Sequence, residues 1–489
     1  MAQTTHDIII LGGGAAGLTA AAGCSQLGMR TALIENHHMG GDCLYHGCVP
    51  SKTLLKTATV YSQAEHFSDY GLPRLSGLPA PEASDVLGRV QRVIDSIALH
   101  DSPERFEKLG VEVILGTARF VGETRVELRE RDGNIRLLSS KKIIIATGSS
   151  PSIPPIPGLH EAGFITNLDV FHLVRFPERL IILGGGPIGV EMAQAFARLG
   201  TSVSLVDKAL HVLPREDADM AEYVQKALRR DGVKLHTGSD IVRVEGDKSS
   251  DKRGKRVILR TEGKEEELEG DEILVALGRR GNTEGLGLDT AGVETERGFV
   301  KVDHKLRSTN PRVYAAGDVN GNYLFTHVAG AEGSFLVKSL ALHLPGRMNY
   351  ESVPWCTYSD PELASVGVNE TRARQAGITY RTVYTGFDEI DRARAEGYEE
   401  GQIKILLNGK DRIIGVQIAG GHAGELLLPA IIAVQNRWKP GTLMKPMYPY
   451  PTMGEIHKRA AGNYLSPKLF NPRVRRLLTA LFRFRGGTI

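Results

Sequence analysis

One strand–turn–helix–strand device constrains this chain more than any other feature, and its first copy begins at residue 7. Residues 7–11 (DIIIL) are typical of a short buried strand, and the glycine-rich turn 12–17 (GGGAAG) follows directly. An Ala-rich segment over 18–27 predicts a helix, and residues 31–34 predict a second strand that ends at Glu35. In such a βαβ unit the glycines let the backbone approach a pyrophosphate at the helix N-terminus, and the acid binds a ribose hydroxyl.

The same device recurs in the middle of the chain. Residues 180–183 (LIIL) lead into the turn 184–189 (GGGPIG), a helix is predicted as far as Arg198, and a second strand ends at Asp207. The acid lies 23 residues after the first glycine of the turn in both copies. A tight turn that binds nothing, followed by a solvated acid, would not explain the equal offset. We therefore predict two dinucleotide sites, one for each unit.

Two cysteines follow the first unit in the spacing Cys-x4-Cys, at Cys43 and Cys48. An ideal helix would hold residues five apart at about 8.7 Å between Cα atoms, beyond the roughly 7 Å that a disulfide tolerates. A bond between them therefore requires a distorted backbone, which Gly47 permits. Pro50 suits the first turn of a following helix, so Cys48 would lie at a helix N-terminus that stabilises its thiolate. The segment predicts a redox-active disulfide.

Chain length, net charge and cysteine count narrow the class of protein. A chain of 489 residues predicts two to four domains. The formal net charge of +3 gives no reason to expect nucleic acid as a partner. Four cysteines fit a reducing compartment with one catalytic pair, and no apolar run is long enough to span a membrane. We expect a cytoplasmic protein.

Together, the two fingerprints and the cysteine pair make the chain resemble the class I pyridine nucleotide–disulfide oxidoreductases, the family of dihydrolipoyl dehydrogenase, glutathione reductase and mercuric reductase. The resemblance extends over nearly the whole length. Further family-like stretches are 145–149 (IATGS), 275–279 (VALGR), 313–318 (VYAAGD), 326–329 (THVA) and 361–367 (PELASVG).

The resemblance implies FAD on the first unit and NAD or NADP on the second. It implies that electrons pass from the nicotinamide to the flavin and on to the disulfide, with Cys48 facing the flavin and Cys43 exchanging with substrate. Lys52 would lie near flavin N5, and Asp318 would bind the ribityl chain. The predicted cofactor-binding residues are Gly12, Gly14, Ala15, Gly17, Glu35, Gly41, Lys52, Ala118, Thr147, Gly148, Gly184, Gly186, Gly189, Glu191, Asp207, Gly278, Asp318 and Ala329. No resident metal ion is predicted.

The choice of nicotinamide depends on the second acid. Asp207 favours NAD, because a carboxylate accepts a free 2′-hydroxyl and repels a 2′-phosphate. Lys208, beside it, leaves NADP open.

The fold implied is α/β, with two Rossmann-like dinucleotide-binding domains and a C-terminal α+β dimerisation domain. The FAD domain is predicted over 1–152 and 275–345, the nicotinamide domain over 153–274, the dimerisation domain over 346–465, and a basic amphipathic tail over 466–489. A polar run over 246–255 predicts an exposed loop. The resemblance also implies a homodimer in which each subunit completes its partner's site.

The end of the dimerisation domain departs from the dithiol-using relatives. The run 448–455 (YPYPTMGE) matches their His-Pro-Thr stretch and its glutamate, here Glu455, but Tyr450 occupies the histidine position. A phenol with a pKa of about 10 is a poor general base near neutral pH. A tyrosine at this place is similar to mercuric reductase, although no cysteine follows Cys356. The predicted acceptor is accordingly a disulfide or a soft metal ion, and the predicted catalytic residues are Cys43, Cys48, Lys52, Tyr450 and Glu455.

Two other functions remain open from the sequence. In one, the flavin passes hydride directly to a quinone or oxygen while the thiols are bystanders. In the other, the chain is a redox subunit of a larger complex with little turnover of its own.

The tail carries an amphipathic pattern. Val474, Leu477, Leu478, Leu481 and Phe482 follow i, i+3, i+4, i+7, i+8 spacing among five arginines. We expect a helix that docks on its own domain or on the partner subunit. The alternative is a peripheral contact with an anionic membrane surface.

Overall fold

The structure is a computed structural model that describes residues 4–75, 77–246 and 254–484. Most of the predicted loop over 246–255 therefore lies outside the described residues. So does the end of the predicted tail, after residue 484. Two compact units are present: the first comprises Met1–Lys208 and Val233–Asn349, and the second comprises Ala209–Gly232 and Tyr350–Ile489.

The chain begins with eleven helices and strands that precede the second fingerprint. They are β1 (His6–Leu11), α1 (Ala15–Gln26), β2 (Thr31–Glu35), α2 (Gly41–Tyr45), α3 (Cys48–Glu65), α4 (Ala83–Ala98), α5 (Pro103–Lys108), β3 (Val111–Gly122), β4 (Arg125–Glu130), β5 (Ile135–Ile145) and β6 (Ser149–Pro151).

The segment around the second fingerprint follows. It contains α6 (Leu159–Ala162), β7 (Arg179–Leu183), α7 (Pro187–Arg198), β8 (Ser202–Asp207), α8 (Ala218–Arg230), β9 (Lys234–Thr237), β10 (Asp240–Gly246), β11 (Lys255–Thr261), β12 (Lys264–Gly270), β13 (Glu272–Val275) and β14 (Arg279–Gly281). The chain continues through β15 (Thr295–Glu296), β16 (Phe299–Val300), β17 (Val313–Ala315) and α9 (Thr326–Leu340).

The remaining elements belong to the second unit. They are β18 (Pro354–Thr357), β19 (Glu362–Gly367), α10 (Glu370–Gln375), β20 (Tyr380–Gly386), α11 (Asp391–Glu396), β21 (Gln402–Asn408), β22 (Ile413–Gly420), α12 (Ala423–Leu426), α13 (Leu428–Gln435), α14 (Glu455–Leu469) and α15 (Pro472–Phe484).

A parallel sheet carries the first fingerprint. Its strands lie in the order β17-β5-β1-β2-β3, and β4 pairs antiparallel with both β3 and β5. Alternate residues of β1 enter two different cores, Ile8 and Ile10 on one face and Ile9 and Leu11 on the other. Because both faces are covered, the strand is a continuous apolar run rather than an alternating one.

A second parallel sheet, in the order β13-β7-β8-β9, carries the second fingerprint. The second unit is built on an antiparallel sheet in the order β18-β19-β22-β21-β20. The predicted pair of Rossmann-like sheets and the α+β C-terminal region are thus confirmed. Across the described ranges, no helix combines the length and apolarity needed to cross a membrane.

Helix α15 forms where the tail pattern predicts one. Its apolar side chains are exposed, however: Leu477 is 70% and Phe482 66% accessible. The expectation that this stripe docks on the chain's own domain is therefore wrong for the described residues. A helix makes its backbone hydrogen bonds internally, so α15 can form without packing against the rest of the chain.

Candidate functional site

The turn between β1 and α1 is shaped to accept a pyrophosphate. Gly12 has φ +107°, and a Cβ there would lie 2.3 Å from the Ala146 carbonyl oxygen. A Cβ on Gly17 would lie 1.9 Å from the Gly12 oxygen, so only glycine lets α1 start this close to β1. Helix α1 is capped by Gly14, which offers no side-chain acceptor to the first backbone N–H groups. These groups are therefore available to an anion, and the turn fits the diphosphate of FAD.

The turn between β7 and α7 repeats this geometry closely. Gly184 has φ +113°, with the position of its missing Cβ 2.4 Å from the Ala276 oxygen. A Cβ on Gly189 would lie 1.8 Å from the Gly184 oxygen, and Gly186 caps α7 without a side chain. The second turn fits a second dinucleotide by the same criteria.

Each strand-end acid binds its own glycine turn. The Gly13 N–H donates to Glu35 Oε2 at 2.6 Å, and the Gly185 N–H donates to Asp207 Oδ2 at 2.6 Å. A carboxylate offers about four lone-pair positions, so these bonds leave room for a ribose hydroxyl. The acids thus fix the turn in addition to the ribose contact that the sequence predicts.

The two cysteines lie on consecutive helices. Cys43 belongs to α2, and Cys48 is the first residue of α3. Gly47, between the helices, has φ −126° and ψ −116°, and a Cβ there would lie 3.0 Å from the Cys43 Cα. The distorted link at Gly47 and the position of Pro50 in the first turn are therefore confirmed. Both sulfurs are free thiols here, which corresponds to the reduced form of the predicted pair.

The two thiols are electrostatically unequal. A hydrogen bond from Cys43 is the main cause that lowers the pKa of Cys48 to about 6, and the same bond raises the pKa of Cys43. Thr326, whose Oγ1 lies 3.5 Å from the Cys48 sulfur, and the charge of Lys52 also lower the Cys48 pKa. The shared hydrogen bond thus favours the thiolate at Cys48 and the protonated thiol at Cys43.

An ion pair links the helix of the thiols to the helix of the second fingerprint. Lys52 of α3 donates to both carboxylate oxygens of Glu191 in α7, at 3.0 and 2.8 Å. The Glu191 side chain is 5% exposed and that of Lys52 is 35% exposed. A buried carboxylate of α7 thus holds the ammonium group of α3 in place.

A polar network surrounds Asp318. Its carboxylate accepts from Ser149 Oγ at 2.6 Å, and burial raises its pKa. Arg279 donates to the same hydroxyl at 2.7 Å and to Asp42 Oδ2 at 2.7 Å. Asp42 immediately precedes Cys43, so the network connects the predicted ribityl ligand with the thiol segment.

Several residues of this site were not predicted. They are Asp42, Ser149, Arg279 and Thr326, although the last three lie inside the family-like stretches. Their position within those stretches could have identified these three residues as site candidates. Their hydrogen bonds could not be predicted, because the bonds join residues more than 100 positions apart.

The remaining residues predicted to bind a cofactor differ in their backbone conformation and burial. Gly41 has φ +66°, and a Cβ there would be 2.8 Å from the Gly14 Cα. Thr147 donates to the Asn282 carbonyl oxygen at 2.7 Å, and it is followed by Gly148 with φ +72°. Gly278 has φ +117°. Ala329 is a buried residue of α9, and Ala118 packs beside the core of the first sheet.

Tyr450 and Glu455 belong to the second unit, whereas the thiols belong to the first. The Tyr450 hydroxyl donates to Asp391 Oδ2 at 3.1 Å, and this bond raises the pKa of the phenol. The Tyr450 side chain is exposed, and Glu455 begins α14. Tyr450 is therefore a neutral donor over the physiological range and not a base.

One acidic cluster in the described part of the chain has the spacing of metal ligands. It consists of Asp217, Asp219 and Glu370. The ammonium of Lys404, which is 1% exposed, forms ion pairs with all three. A lysine of the chain itself thus supplies the positive charge at this place.

Comparisons with known proteins agree with this geometry. A family model described as pyridine nucleotide-disulphide oxidoreductase matches residues 6–333, and the model of that family's dimerisation domain matches residues 353–461. These matches confirm the predicted resemblance, FAD and NAD(P) as the cofactors, and a homodimer.

The similar proteins include enzymes with different printed activities. Dihydrolipoyl dehydrogenase of Chlorobaculum tepidum is 33% identical over 94% of this chain and 97% of its own length. Mercuric reductase of Staphylococcus aureus is 32% identical over 93% of this chain and 82% of its own length. The structure of RclA, an HOCl-induced flavoprotein disulfide reductase from Escherichia coli solved as a Cu(II) complex, is 27% identical, has a TM-score of 0.82, and is matched over 94% of this chain and 99% of that one.

Proposed function

The chain belongs to the pyridine nucleotide-disulphide oxidoreductase family, and from that premise we propose that it passes electrons from NADH through FAD to Cys43 and Cys48 and on to a soft metal ion. The observation that carries the proposal is the unequal thiol pair, with a Cys48 thiolate at the start of α3 and a Cys43 thiol bonded to it. Thiolates are the ligands that soft metal ions prefer.

The glycine turn 12–17 and Glu35 would hold FAD, which would supply a ring able to accept hydride from the nicotinamide and to pass two electrons to the sulfur pair. The chain's own residues set the charges around that transfer. Lys52 holds a positive charge one helical turn from Cys48, and Glu191 fixes the position of the ammonium. The positive end of α3 favours the Cys48 thiolate. Cys43, which is not the stabilised thiolate, is the thiol that engages the acceptor.

Proton balance favours a metal ion over a disulfide. NADH gives two electrons and one proton, and a divalent ion that takes both electrons needs no proton. A disulfide takes two electrons and two protons to become two thiols, and therefore needs a general acid at the acceptor. Tyr450, whose pKa is raised by Asp391, is poorly suited to that role near neutral pH.

A disulfide acceptor is the second candidate. It is supported by the dihydrolipoyl dehydrogenases and the flavoprotein disulfide reductase among the similar proteins. A flavin-only quinone reductase with bystander thiols, and a redox subunit with little turnover, are not favoured by these relatives.

We propose NAD rather than NADP as the electron donor. The carboxylate of Asp207 is held at the second turn, where it would repel a 2′-phosphate. Lys208, the neighbouring cation, forms an ion pair with Asp240 at 3.0 Å. This pairing reduces its ability to compensate for the repulsion.

We further propose that Tyr450 and Glu455 complete the thiol site of the partner subunit. The dimerisation-domain match supports this arrangement. It is tested by mixed dimers that combine a Cys48→Ser subunit with a Tyr450→Phe, Glu455→Gln subunit. With both parent homodimers shown to be inactive, completion across the dimer leaves one intact site and about half of the wild-type activity, whereas sites within one subunit would leave none.

The domain division at 1–152, 153–274, 275–345 and 346–465 is proposed on the same family basis. A cytoplasmic location is proposed from the four cysteines, of which Cys24 is buried in the first core. We also propose a peripheral membrane contact through the tail. That contact is independent of the redox reaction, because no predicted site residue lies in α15.

An acceptor screen tests the proposed function. NADH and NADPH oxidation would be measured with mercuric ion, cupric ion, lipoamide, glutathione disulfide and quinones, using wild type, Cys43→Ser, Cys48→Ser and Tyr450→His. We expect metal-dependent turnover that both cysteine variants lose. We expect Tyr450→His to raise disulfide turnover relative to metal turnover. Undiminished quinone turnover in Cys48→Ser, with no metal turnover in wild type, would instead establish the flavin-only alternative.

A further inference from the structure

The C-terminal segment has an extreme charge bias. No aspartate or glutamate occurs from Ile456 to the end of the chain. The same segment holds eight lysines and arginines, namely Lys458, Arg459, Lys468, Arg473, Arg475, Arg476, Arg483 and Arg485. Most lie in or next to α15, beyond residue 461, where the match to the dimerisation-domain model ends. The part of this segment after residue 461 thus lies outside both family-model matches.

Helix α15 is well defined at its start. Asn471 Oδ1 accepts from the backbone N–H groups of Arg473 and Val474, at 2.9 and 3.0 Å, and so caps the helix. Just before it, the Lys468 ammonium binds Asp411 Oδ2 at 3.1 Å and ties the end of α14 to the turn between β21 and β22. The helix therefore begins at an anchored point.

One face of α15 is apolar and uncovered. Leu477, Leu478, Leu481 and Phe482 are 70%, 42%, 41% and 66% exposed. Leu469 and Phe470, just before the helix, are 56% and 80% exposed. Isolated exposed leucines are ordinary, but six large apolar side chains within 14 residues form a patch that is typical of an interaction surface.

We propose that α15 and the residues before it bind the surface of an anionic phospholipid bilayer. The apolar face would enter the boundary between headgroups and acyl chains while the arginines remain at the level of the phosphates. Guanidinium groups suit this role because they bind phosphate oxygens through paired hydrogen bonds. A segment without acidic side chains has no carboxylate side chain that such a surface would repel. The inference names the partner of the proposed peripheral contact and does not depend on the electron acceptor.

A second copy of this chain is the competing occupant. Pairing α15 with its own copy, or with the partner's adjacent surface, would also cover the apolar face. It would gather arginines of both subunits without counter-charges from this segment, whereas anionic lipid headgroups provide those charges. Charge complementarity therefore favours the bilayer.

Vesicle flotation of the full-length, FAD-loaded protein tests the proposal. We expect binding to vesicles of phosphatidylcholine with one-third phosphatidylglycerol, and binding at least about tenfold weaker to phosphatidylcholine alone, because each basic residue near an anionic surface contributes about fivefold. Raising the salt from 0.1 to 0.5 M should weaken binding to the anionic vesicles.

Two variants separate the parts of the surface. Leu477→Glu with Leu481→Glu removes the apolar face, and Arg475→Glu with Arg476→Glu reverses charge. Both should lose vesicle binding, while Leu137→Glu, at an exposed leucine of β5 (58% accessible), should keep it. NADH oxidation in the absence of vesicles should be unchanged in all three, so a loss there would concern the redox function and not this surface. Failure of the wild type to float would overturn the proposal. Dissociation of the dimer by the leucine variant would also overturn it, and would show that α15 is a subunit contact.

Discussion

The two dinucleotide-binding regions share a backbone device but use one equivalent helix position differently. Seven residues after the first glycine of each turn, α1 carries Thr19 and α7 carries Glu191. The Thr19 hydroxyl donates to the Ala15 carbonyl oxygen of its own helix at 2.7 Å. Glu191 instead accepts from Lys52, 139 positions away along the chain.

This difference separates binding from chemistry. What repeats is the glycine turn, the strand-end acid and the bond between them, which are the parts proposed to hold a dinucleotide. What does not repeat is the thiol helix α3 after the first region and the carboxylate that the second region contributes to it. The side chains of the site therefore come from unrepeated segments placed on a repeated frame.

The largest effect is expected at the last glycine of each turn. Gly17→Ala would bring a Cβ to 1.9 Å from a backbone oxygen, and Gly189→Ala to 1.8 Å. Overpacking of this kind costs about 3 kcal/mol, which is more than about 100-fold in affinity. We expect Gly17→Ala to purify without flavin, and Gly189→Ala to keep its flavin but fail to be reduced by NADH.

Gly88→Ala is the matched control, because the added methyl group meets only the end of the Arg92 side chain, at 3.6 Å. It should retain both properties, as shown by flavin absorbance and by stopped-flow reduction. Equal loss of flavin in the two turn variants would remove the distinction between the regions.

The next effect concerns the ion pair that joins the regions. Lys52→Met leaves the buried Glu191 without its ammonium partner and should lower the free energy of unfolding by about 2 kcal/mol. Glu191→Gln should cost less, about 1 kcal/mol, because Lys52 is 35% exposed and can turn to solvent. Thermal unfolding followed by flavin fluorescence measures both, and the double variant should recover part of the loss. A larger loss in Glu191→Gln would contradict this asymmetry.

A smaller and more selective effect is expected at the two acids. Asp207→Ser should raise the KM for NADH about tenfold, the equivalent of one charged hydrogen bond. It should also reduce the preference of the enzyme for NADH over NADPH. Glu35→Ser should weaken FAD binding and leave the KM for NADH unchanged. Steady-state kinetics with both nicotinamides, after saturation with FAD, distinguishes these outcomes. An effect of Glu35→Ser on the KM for NADH would show that the regions do not act separately.

The smallest effect is expected at Thr19. Thr19→Val removes one hydrogen bond within α1 and should change stability by no more than about 1 kcal/mol. Flavin content and the rate of reduction by NADH should match wild type. A slower reduction would mean that Thr19 also contributes to the chemistry.

The sequence was sufficient for the repeated frame. The strand at 7–11, the helix to Arg198 and the distorted link at Gly47 depend on local patterns and glycine sterics, and all three are confirmed. The sequence did not predict which distant segments contact each other. Lys52 and Glu191 were each assigned to the site, but nothing in the sequence indicated that they bind each other.

The tail shows what a local sequence pattern leaves undetermined. The i, i+3, i+4 pattern correctly predicted α15, because helical periodicity is local. It could not show what covers the apolar face, since periodicity is the same whether a helix packs on protein, on a partner or on lipid.

The central claim is that the Cys48 thiolate lies against the flavin and receives its electrons, and anaerobic reduction tests it most directly. One equivalent of NADH would be added to wild type and to Cys48→Ala at several pH values while the long-wavelength thiolate-to-flavin charge-transfer absorbance is recorded. The account predicts a band in wild type that increases as the pH rises through about 6, where Cys48 loses its proton, and no band in Cys48→Ala. An unchanged band and unchanged turnover in Cys48→Ala would contradict it.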